Sequence, residues 1–191
     1  PIYVDSPLAT RLTEVHRDHP DAYTPEARAL MDRDPLYFGS KDVEYCMSFE
    51  DSRRLNHQRG PMVVISSSGM CEAGRIRHHL RHVVSDPDNA IVIVSYQAED
   101  TLGRKFTEGV ERVQILDHWY DLNAAVYVLD GFSGHADRND LAWWFEQTGG
   151  NIEHGFLVHG EPDPMDALVP VLQRFVKTPV RTPGLHDSFE V

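Results

Sequence analysis

Residues 128–137 have the sequence VLDGFSGHAD and connect an apolar run to an amphipathic segment. The apolar run 124–129 predicts a buried strand that ends at the turn signal Asp130-Gly131, and residues 139–147 predict a helix. In α/β folds the loops at the carboxyl ends of strands carry the chemistry. His135 stands in such a loop and is therefore a candidate functional residue.

A second histidine follows the same pattern about two dozen residues later. Residues 155–158 predict a short strand, His159-Gly160-Glu161 follow, and a helix is predicted over 163–176. If the two strands are neighbours, His135 and His159 point into one crevice. Imidazole suits both proton transfer near neutral pH and zinc binding. Spacing alone leaves these two roles open, beside the commoner structural role of a lone histidine.

The order of the predicted elements indicates the fold class. Strands are predicted at 1–5, 43–47, 62–65, 90–94, 113–116 and 124–129, with helices at 25–32, 49–58 and 71–84 among them. This alternation predicts an α/β fold with a largely parallel sheet flanked by helices. We expect Asp34-Pro35 to end the helix 25–32, and we expect strands 113–116 and 124–129 to pair as a hairpin-like unit.

Composition narrows the classes of function. A chain of 191 residues with a formal net charge of -12 does not suit non-specific coating of nucleic acid, although it permits a local phosphate site. Cys46 and Cys71 form no CxxC motif and no disulfide framework, so we expect a cytoplasmic location. No apolar run approaches the roughly 18 residues of a membrane span, so we expect no membrane partner.

A serine-rich loop is the second candidate site. Ser66, Ser67, Ser68 and Gly69 lie between a predicted buried strand and a predicted helix start, where backbone N–H groups and the helix dipole favour a phosphate. An ordinary capped turn is an equally good interpretation, and the loop is neither a Walker motif nor GxGxxG. Arg104 and Lys105 would help to hold a polyphosphate backbone if they lie beside this loop.

Residues 75–82 form a basic run with the sequence RIRHHLRH, which we interpret mainly as a solvated helix face. His79 and His82, at i and i+3, lack a third metal ligand nearby. His135 and His159 are also only two ligands, whereas a hydrolytic zinc site needs three protein ligands and a water. The chain has no HxHxDH and no HExxH motif. Spacing therefore suggests half of a metal site.

Five segments taken together resemble a known family. They are, in chain order, PIYVDSPLA (1–9), SSSGMCEAGR (66–75), SYQAEDTLGRK (95–105), FSGHAD (132–137) and LVHGE (157–161). The set resembles the metallo-β-lactamase RNA nucleases that carry a β-CASP insertion, such as the 3′-end-processing endonuclease. The resemblance implies that residues 1–118 are most of the β-CASP domain and that 119–191 are the C-terminal part of a metallo-β-lactamase-like domain.

The resemblance also implies roles for individual residues. His135 would assist proton transfer to the leaving group near the scissile phosphate, and His159 would ligate one of two zinc ions. The implied reaction is zinc-dependent hydrolysis of RNA phosphodiester bonds. The residues expected to line the RNA cleft are Ser66, Ser67, Ser68, Gly69, Arg75, Arg104 and Lys105.

The missing motifs shape the prediction. The family's HxHxDH ligands are absent and would lie upstream of Pro1, so we expect a C-terminal fragment that alone neither retains two zinc ions nor cleaves RNA. Its expected partners are RNA, the missing N-terminal metallo-β-lactamase region and a second copy in a homo-oligomer. One alternative is a catalytically silent RNA-binding subunit of the same family, which the intact histidine motifs argue against. Another is a lactamase-fold hydrolase of a small phosphoester, which the basic residues near the Ser/Gly loop disfavour.

Overall fold

The computed structural model describes residues 1–33, 42–148 and 150–190 of the chain. Its contacts divide these residues into two units, Pro1–Ser133 (unit 1) and Gly134–Val191 (unit 2). The predicted helix stop at Asp34-Pro35 lies outside the described residues.

Unit 1 alternates strands with helices, as the sequence predicts. Its strands are β1 (Ile2–Asp5), β2 (Val43–Tyr45), β3 (Val63–Ser66), β4 (Ala90–Ile93), β5 (Arg112–Ile115), β6 (His118–Asp121) and β7 (Ala125–Val128). Its helices are α1 (Pro7–Asp18), α2 (Pro25–Arg33), α3 (Phe49–Leu55), α4 (Ile76–Val83) and α5 (Leu102–Glu108), with short 3₁₀ turns at Pro20–Ala22 and Asp130–Phe132. Unit 2 contains α6 (Arg138–Gln147) and α7 (Pro162–Leu172).

The strands of unit 1 pair mainly in parallel, which confirms the predicted α/β class. β1 lies between β2 and β3, with Ile2 opposite both Val43 and Val63. β4 and β7 form a second parallel pair. Along β1 burial alternates, and Tyr3 and Asp5 face inward. A charged side chain at an inward position requires partners, and its partners organise the site described below.

The predicted hairpin between residues 113–116 and 124–129 is wrong. β5 instead pairs antiparallel with β6 through a tight turn in which Leu116 adopts φ 54°, and β7 pairs with β4. β6 has the sequence HWYD and is largely exposed, so it lacks the apolar run by which buried strands are found. Parallel partners such as β4 and β7 are distant in sequence and leave no local signal.

Several helices and strands also differ in extent from the sequence prediction: α3 ends at Leu55 instead of 58, and β2 ends at Tyr45 instead of 47. α4 begins at Ile76 instead of 71, because Cys71 and Gly74 adopt positive φ angles of 62° and 77° that end any helix. α7 ends at Leu172 instead of 176. The predicted strand 155–158 is reduced to a single parallel bridge between Phe156 and Arg181, with another between Ile152 and Val176.

The main hydrophobic core of unit 1 lies between α4, α5 and the strands β4 and β5. Its most completely buried members include Val84, Phe106 and Ile115. A smaller cluster of Tyr3, Cys46 and Leu55 packs beneath β1 and α3. The longest described helix has 12 residues, and none of the described helices has the length and apolar character needed to cross a bilayer.

Candidate functional site

Asp5, the last residue of β1, is the centre of a buried polar network. Its side chain is 0% exposed. Oδ1 accepts a hydrogen bond of 2.6 Å from Arg75 Nη1. Oδ2 accepts one of 2.6 Å from Ser52 Oγ and lies 2.6 Å from His79 Nε2. Three side chains from α3 and from the start and middle of α4 therefore converge on one carboxylate.

These contacts keep the Asp5 carboxyl ionised. Burial alone raises its pKa, but the hydrogen bonds from Ser52, His79 and Arg75 outweigh burial, and the pKa is lowered from its ordinary value. The second ring nitrogen of His79, Nδ1, lies 2.7 Å from Asn56 Oδ1. The network therefore extends from the end of β1 to the turn after α3.

Arg75, predicted to contact RNA, uses its guanidinium inside the protein. Besides Asp5, it donates to the carbonyl oxygens of Cys46 at 3.0 Å and Met47 at 2.9 Å, just beyond β2. Arg75 thus joins the carboxyl ends of β1 and β2 to the start of α4. These bonds use both terminal nitrogens of the guanidinium. The contact of Arg75 with RNA stays a prediction.

The three serine side chains of the Ser66–Gly69 loop also form hydrogen bonds within the protein. Ser66 Oγ donates to the Asp5 carbonyl at 3.1 Å, and Ser67 Oγ lies 2.8 Å from Ser6 Oγ. Ser68 Oγ accepts from the backbone N–H of Ala73, and the Ser67–Ser68 peptide bond is cis. α4 begins only at Ile76 and not directly after the loop, but its first N–H group donates to the Ser67 carbonyl at 3.1 Å.

The segment 95–105 packs against this loop. Gln97 Nε2 donates to the carbonyl oxygens of Gly69 at 3.0 Å and Ser95 at 2.9 Å, and the Gly103 N–H donates to the Met70 carbonyl. Arg104 donates to Glu108 Oε1 at 2.9 Å and to the Gln97 carbonyl at 3.2 Å. The predicted RNA-contacting residues Ser66–Gly69 and Arg104 are therefore brought close together.

Lys105 lies on a different cavity of unit 1. This cavity, of about 200 Å³, is also lined by Cys71, Glu72 and Arg77. Burial, followed by the nearby Glu72 charge, raises the pKa of the Cys71 thiol to about 11. Cys71 therefore lines the cavity as an uncharged thiol and does not act as a nucleophile.

His135, the predicted proton-transfer residue, lies in unit 2 in an exposed loop before α6. Two residues later, Asp137 caps that helix, since its Oδ1 accepts from the N–H groups of Asn139 at 2.7 Å and Asp140 at 2.9 Å. Asp140 returns a bond to the Asp137 N–H and completes a capping box. The acid of the FSGHAD motif therefore orients the start of α6, three residues after His135.

His159, the predicted zinc ligand, is exposed in the loop before α7. Its φ angle is 68°, in the left-handed region that non-glycine residues seldom adopt. At the next residue, Gly160, a Cβ atom would crowd the Met165 side chain, so the turn is packed tightly against α7. Such a backbone constraint is often associated with a functional position.

The described ranges contain no cluster of three or more His, Cys, Asp or Glu residues that could hold a metal ion. Protein zinc sites use three or four protein ligands. The described residues therefore do not form a complete zinc centre by themselves.

Sequence reasoning missed the network of Asp5, Ser52 and Asn56 and treated His79 only as a weak metal candidate. One signal was available: Asp5 is a charged residue at an inward-facing position of a predicted strand. Its partners come from residues 47–74 positions away, which no local pattern reveals.

Comparison with known families accounts for most of the chain. The family model of the Beta-Casp domain matches residues 1–106, and that of the Zn-dependent metallo-hydrolase RNA specificity domain matches residues 119–183. The chain belongs to the Beta-Casp family. The family membership inferred from the five segments is thereby confirmed.

Curated relatives of this Beta-Casp chain are considerably longer. A protein named ribonuclease from Thermus thermophilus is 39% identical over 170 residues, which are 88% of this chain and 38% of that relative. A protein named transcription termination factor FttA, from Methanocaldococcus jannaschii, is 29% identical over 197 residues, 100% of this chain and 31% of that relative. The FttA of Pyrococcus abyssi is 28% identical and is covered to 30%. The chain therefore spans about a third of the length of these relatives.

Proposed function

We propose that this chain is the C-terminal part of a zinc-dependent ribonuclease that hydrolyses phosphodiester bonds of RNA. The observation that carries the proposal is the position of two exposed histidines in one unit: His135 lies two residues before Asp137, the N-cap of α6, and His159 lies two residues before Glu161, the N-cap of α7. Both lie in the segment matched by a zinc-dependent metallo-hydrolase RNA specificity domain. A relative matched over 88% of this chain bears the name ribonuclease.

Each predicted residue has a role in this proposal. His159 supplies one zinc ligand, and His135 assists proton transfer to the leaving oxygen. The remaining ligands come from an N-terminal metallo-β-lactamase region, which the coverage of 30–38% of the relatives supports. The RNA-contacting surface includes the Ser66–Gly69 loop, Arg75, Arg104 and Lys105.

The domain organisation and setting are part of the same proposal. Residues 1–118 form most of the β-CASP domain, and residues 119–191 complete the metallo-β-lactamase-like domain. The partners are RNA, the N-terminal region and, in a homo-oligomer, a second copy. Two buried, unpaired cysteines support a reducing cytoplasmic location.

The test uses the protein encoded by the complete reading frame that contains this chain. We expect His159→Ala to lower the zinc content measured by elemental analysis. We expect His135→Ala to keep the zinc and to slow single-turnover cleavage of a labelled RNA by roughly 10²-fold or more, the usual contribution of general acid catalysis. Equal zinc loss in both variants would show that the two roles are wrongly assigned.

Two further measurements separate the alternatives. Zinc-dependent cleavage by the 191-residue chain alone would contradict its assignment as an incomplete enzyme. A complete protein that binds RNA but holds no zinc would instead be a silent RNA-binding subunit.

A further inference from the structure

Part of the basic run 75–82 lines a cavity between α3 and α4, which a simple solvated helix face would not do. One face of α3 and the turn after it presents Phe49, Ser52, Arg53, Asn56 and His57 at helical spacing. A face of α4 and the residue before it presents Arg75, His78, Arg81 and His82. These faces enclose a cavity of about 310 Å³, which we name the α3–α4 pocket.

The charge in this pocket is of one sign. It is lined by three arginines and three histidines, and among the described residues no carboxylate lines it. The acids of α3, Glu50 and Asp51, lie outside the lining. The nearest buried carboxylate, Asp5, is 0% exposed and is bonded to Arg75. In a chain of net charge -12, two arginines in this lining without a counter-charge among the described residues, Arg53 and Arg81, favour an anionic ligand.

Neither Arg53 nor Arg81 has a carboxylate partner among the described residues, although Arg81 Nε donates to His82 Nε2 at 3.3 Å. Both arginines are exposed, whereas Arg54 on the same helix as Arg53 pairs with Glu44 at 2.6 Å. Burial, followed by the charges of Arg81 and three neighbouring histidines, lowers the pKa of His82. A bound anion would relieve this mutual repulsion.

An aromatic side chain stands at the edge of the pocket. Phe49 is 56% exposed, and the Arg53 guanidinium carbon lies 5.9 Å from its ring centroid. Proteins bind single-stranded nucleic acid by pairing a positively charged groove with aromatic rings on which bases stack. A free phosphate ion has no base that could stack on this ring.

We propose that the α3–α4 pocket binds a backbone phosphate of single-stranded RNA, with Arg53 and Arg81 on the phosphate and Phe49 against the adjoining base. The pocket lies at the carboxyl ends of β1 and β2, where Arg75 ties both strand ends to α4. It is a binding subsite apart from His135 and His159. The identity of the ligand as RNA rests on the proposed function.

The experiment measures binding of a fluorescein-labelled single-stranded oligoribonucleotide to the 191-residue chain by fluorescence anisotropy at several salt concentrations. The test variant is Arg53→Gln/Arg81→Gln. The matched control is Arg54→Gln/Arg77→Gln, which removes the same charge from the same two helices outside the pocket. All four arginines are exposed or half-buried, and thermal unfolding verifies that both variants fold.

We expect the pocket variant to bind RNA about tenfold or more weakly at 50 mM salt. We expect the slope of log K against log salt to fall by about 0.7, the value for one phosphate contact on a single strand, and the control to retain the slope. Equal weakening in both variants would show that only net charge matters and would overturn the proposal. Undetectable binding by the unaltered chain at 50 mM salt would overturn it as well.

Two measurements distinguish a backbone phosphate of RNA from a free phosphate ion: the effect of Phe49→Ala and the binding of pyrophosphate. We expect Phe49→Ala to weaken RNA binding by about tenfold, the scale of one stacked base, and to leave pyrophosphate binding unchanged. We expect pyrophosphate to displace the RNA and to shift the ring NMR signals of His57 and His82. A pocket that binds pyrophosphate while RNA neither competes nor responds to Phe49→Ala would be a free-phosphate site, which overturns the assignment to RNA.

These measurements require neither zinc nor cleavage. If the pocket variant binds RNA normally while His159→Ala still lowers zinc in the complete protein, this inference fails and the proposed nuclease stands. If zinc is unaffected but the pocket responds as expected, the nuclease assignment fails and the binding site stands.

Discussion

The Arg75 guanidinium lies 2.6 Å from the Asp5 carboxylate, and the two residues are 70 positions apart in sequence. Asp5 ends the central strand of the parallel sheet, and Arg75 immediately precedes α4. Because the Asp5 side chain is 0% exposed, its charge is balanced by Arg75 and by the hydrogen bonds of Ser52 and His79 rather than by water. This ion pair ties the α3–α4 pocket to the end of β1, and the bond from Ser66 Oγ to the Asp5 carbonyl ties the Ser66–Gly69 loop to the same strand end.

Asp5→Asn tests how much the network stabilises the fold. The substitution keeps the shape of the side chain but leaves Arg75 without its counter-charge. Removing one partner of a buried ion pair costs about 3 kcal/mol or more. We expect the free energy of unfolding, measured with urea, to fall by about 3 kcal/mol.

The matched control is Glu108→Gln. Glu108 also pairs with an arginine, Arg104, at 2.9 Å, but its side chain is 54% exposed. An exposed pair of this kind contributes less than about 1 kcal/mol. Losses of similar size in the two variants would contradict a special role for the buried network.

Acid should remove the contribution of Asp5 selectively. Its pKa in the folded protein is lowered relative to its ordinary value, so its stabilising effect is complete above the unfolded pKa and is lost as pH falls through the folded pKa. Because the unfolded pKa is about 3.9 and the folded pKa is lower, the difference in unfolding free energy between the unaltered chain and Asp5→Asn should shrink as the pH falls from 6 to 3. A constant difference over this range would show that Asp5 does not titrate as the contacts require.

What the sequence could predict depended on whether a feature is local. A serine followed by a proline is a typical helix start, and Ser6 Oγ indeed caps α1 by accepting from the Ala9 N–H. Ser48 and Asp51, three residues apart, form a capping box at the start of α3. Both features join residues that are three positions apart. The covalent chain keeps such residues close together, so a local pattern is enough to predict the contact.

Features that depend on distant residues were missed or misjudged. The partner of β7 is β4, about 35 residues earlier, and the partners of Asp5 lie 47–74 residues away. The basic run shows this most clearly. His79 points to Asp5, whereas Arg81 and His82 turn toward α3. Only the packing of α3 against α4 separates these roles.

The two cysteines should be unreactive in the folded protein. Burial, followed by the charge of Glu72, raises the pKa of Cys71 to about 11, and burial followed by Asp5 raises that of Cys46. At pH 8 both thiols stay protonated, and only the thiolate attacks a disulfide reagent. We expect reaction with Ellman's reagent to be about 100-fold slower than for a free thiol and to release two equivalents after unfolding in urea. Rapid reaction of the native chain would contradict this, and Cys46→Ser would then identify the reactive thiol.

Gly103→Ala should destabilise the protein although it lies in a helix, where alanine normally improves stability by about 1 kcal/mol. A Cβ atom at this position would overlap the Gln97 side-chain amide and lie 3.2 Å from the Met70 carbonyl oxygen. Gln97 must then move, and it is the residue that holds the Gly69 carbonyl. Since overpacking costs about 1–3 kcal/mol, we expect a net loss of unfolding free energy and faster hydrogen exchange in the Ser66–Gly69 loop.

The control Gly131→Ala meets nothing within 4 Å and should change stability by less than about 0.5 kcal/mol. If Gly103→Ala were as stable as the unaltered chain, with an unchanged exchange rate in the loop, the contact between α5 and the Ser66–Gly69 loop would not be tight.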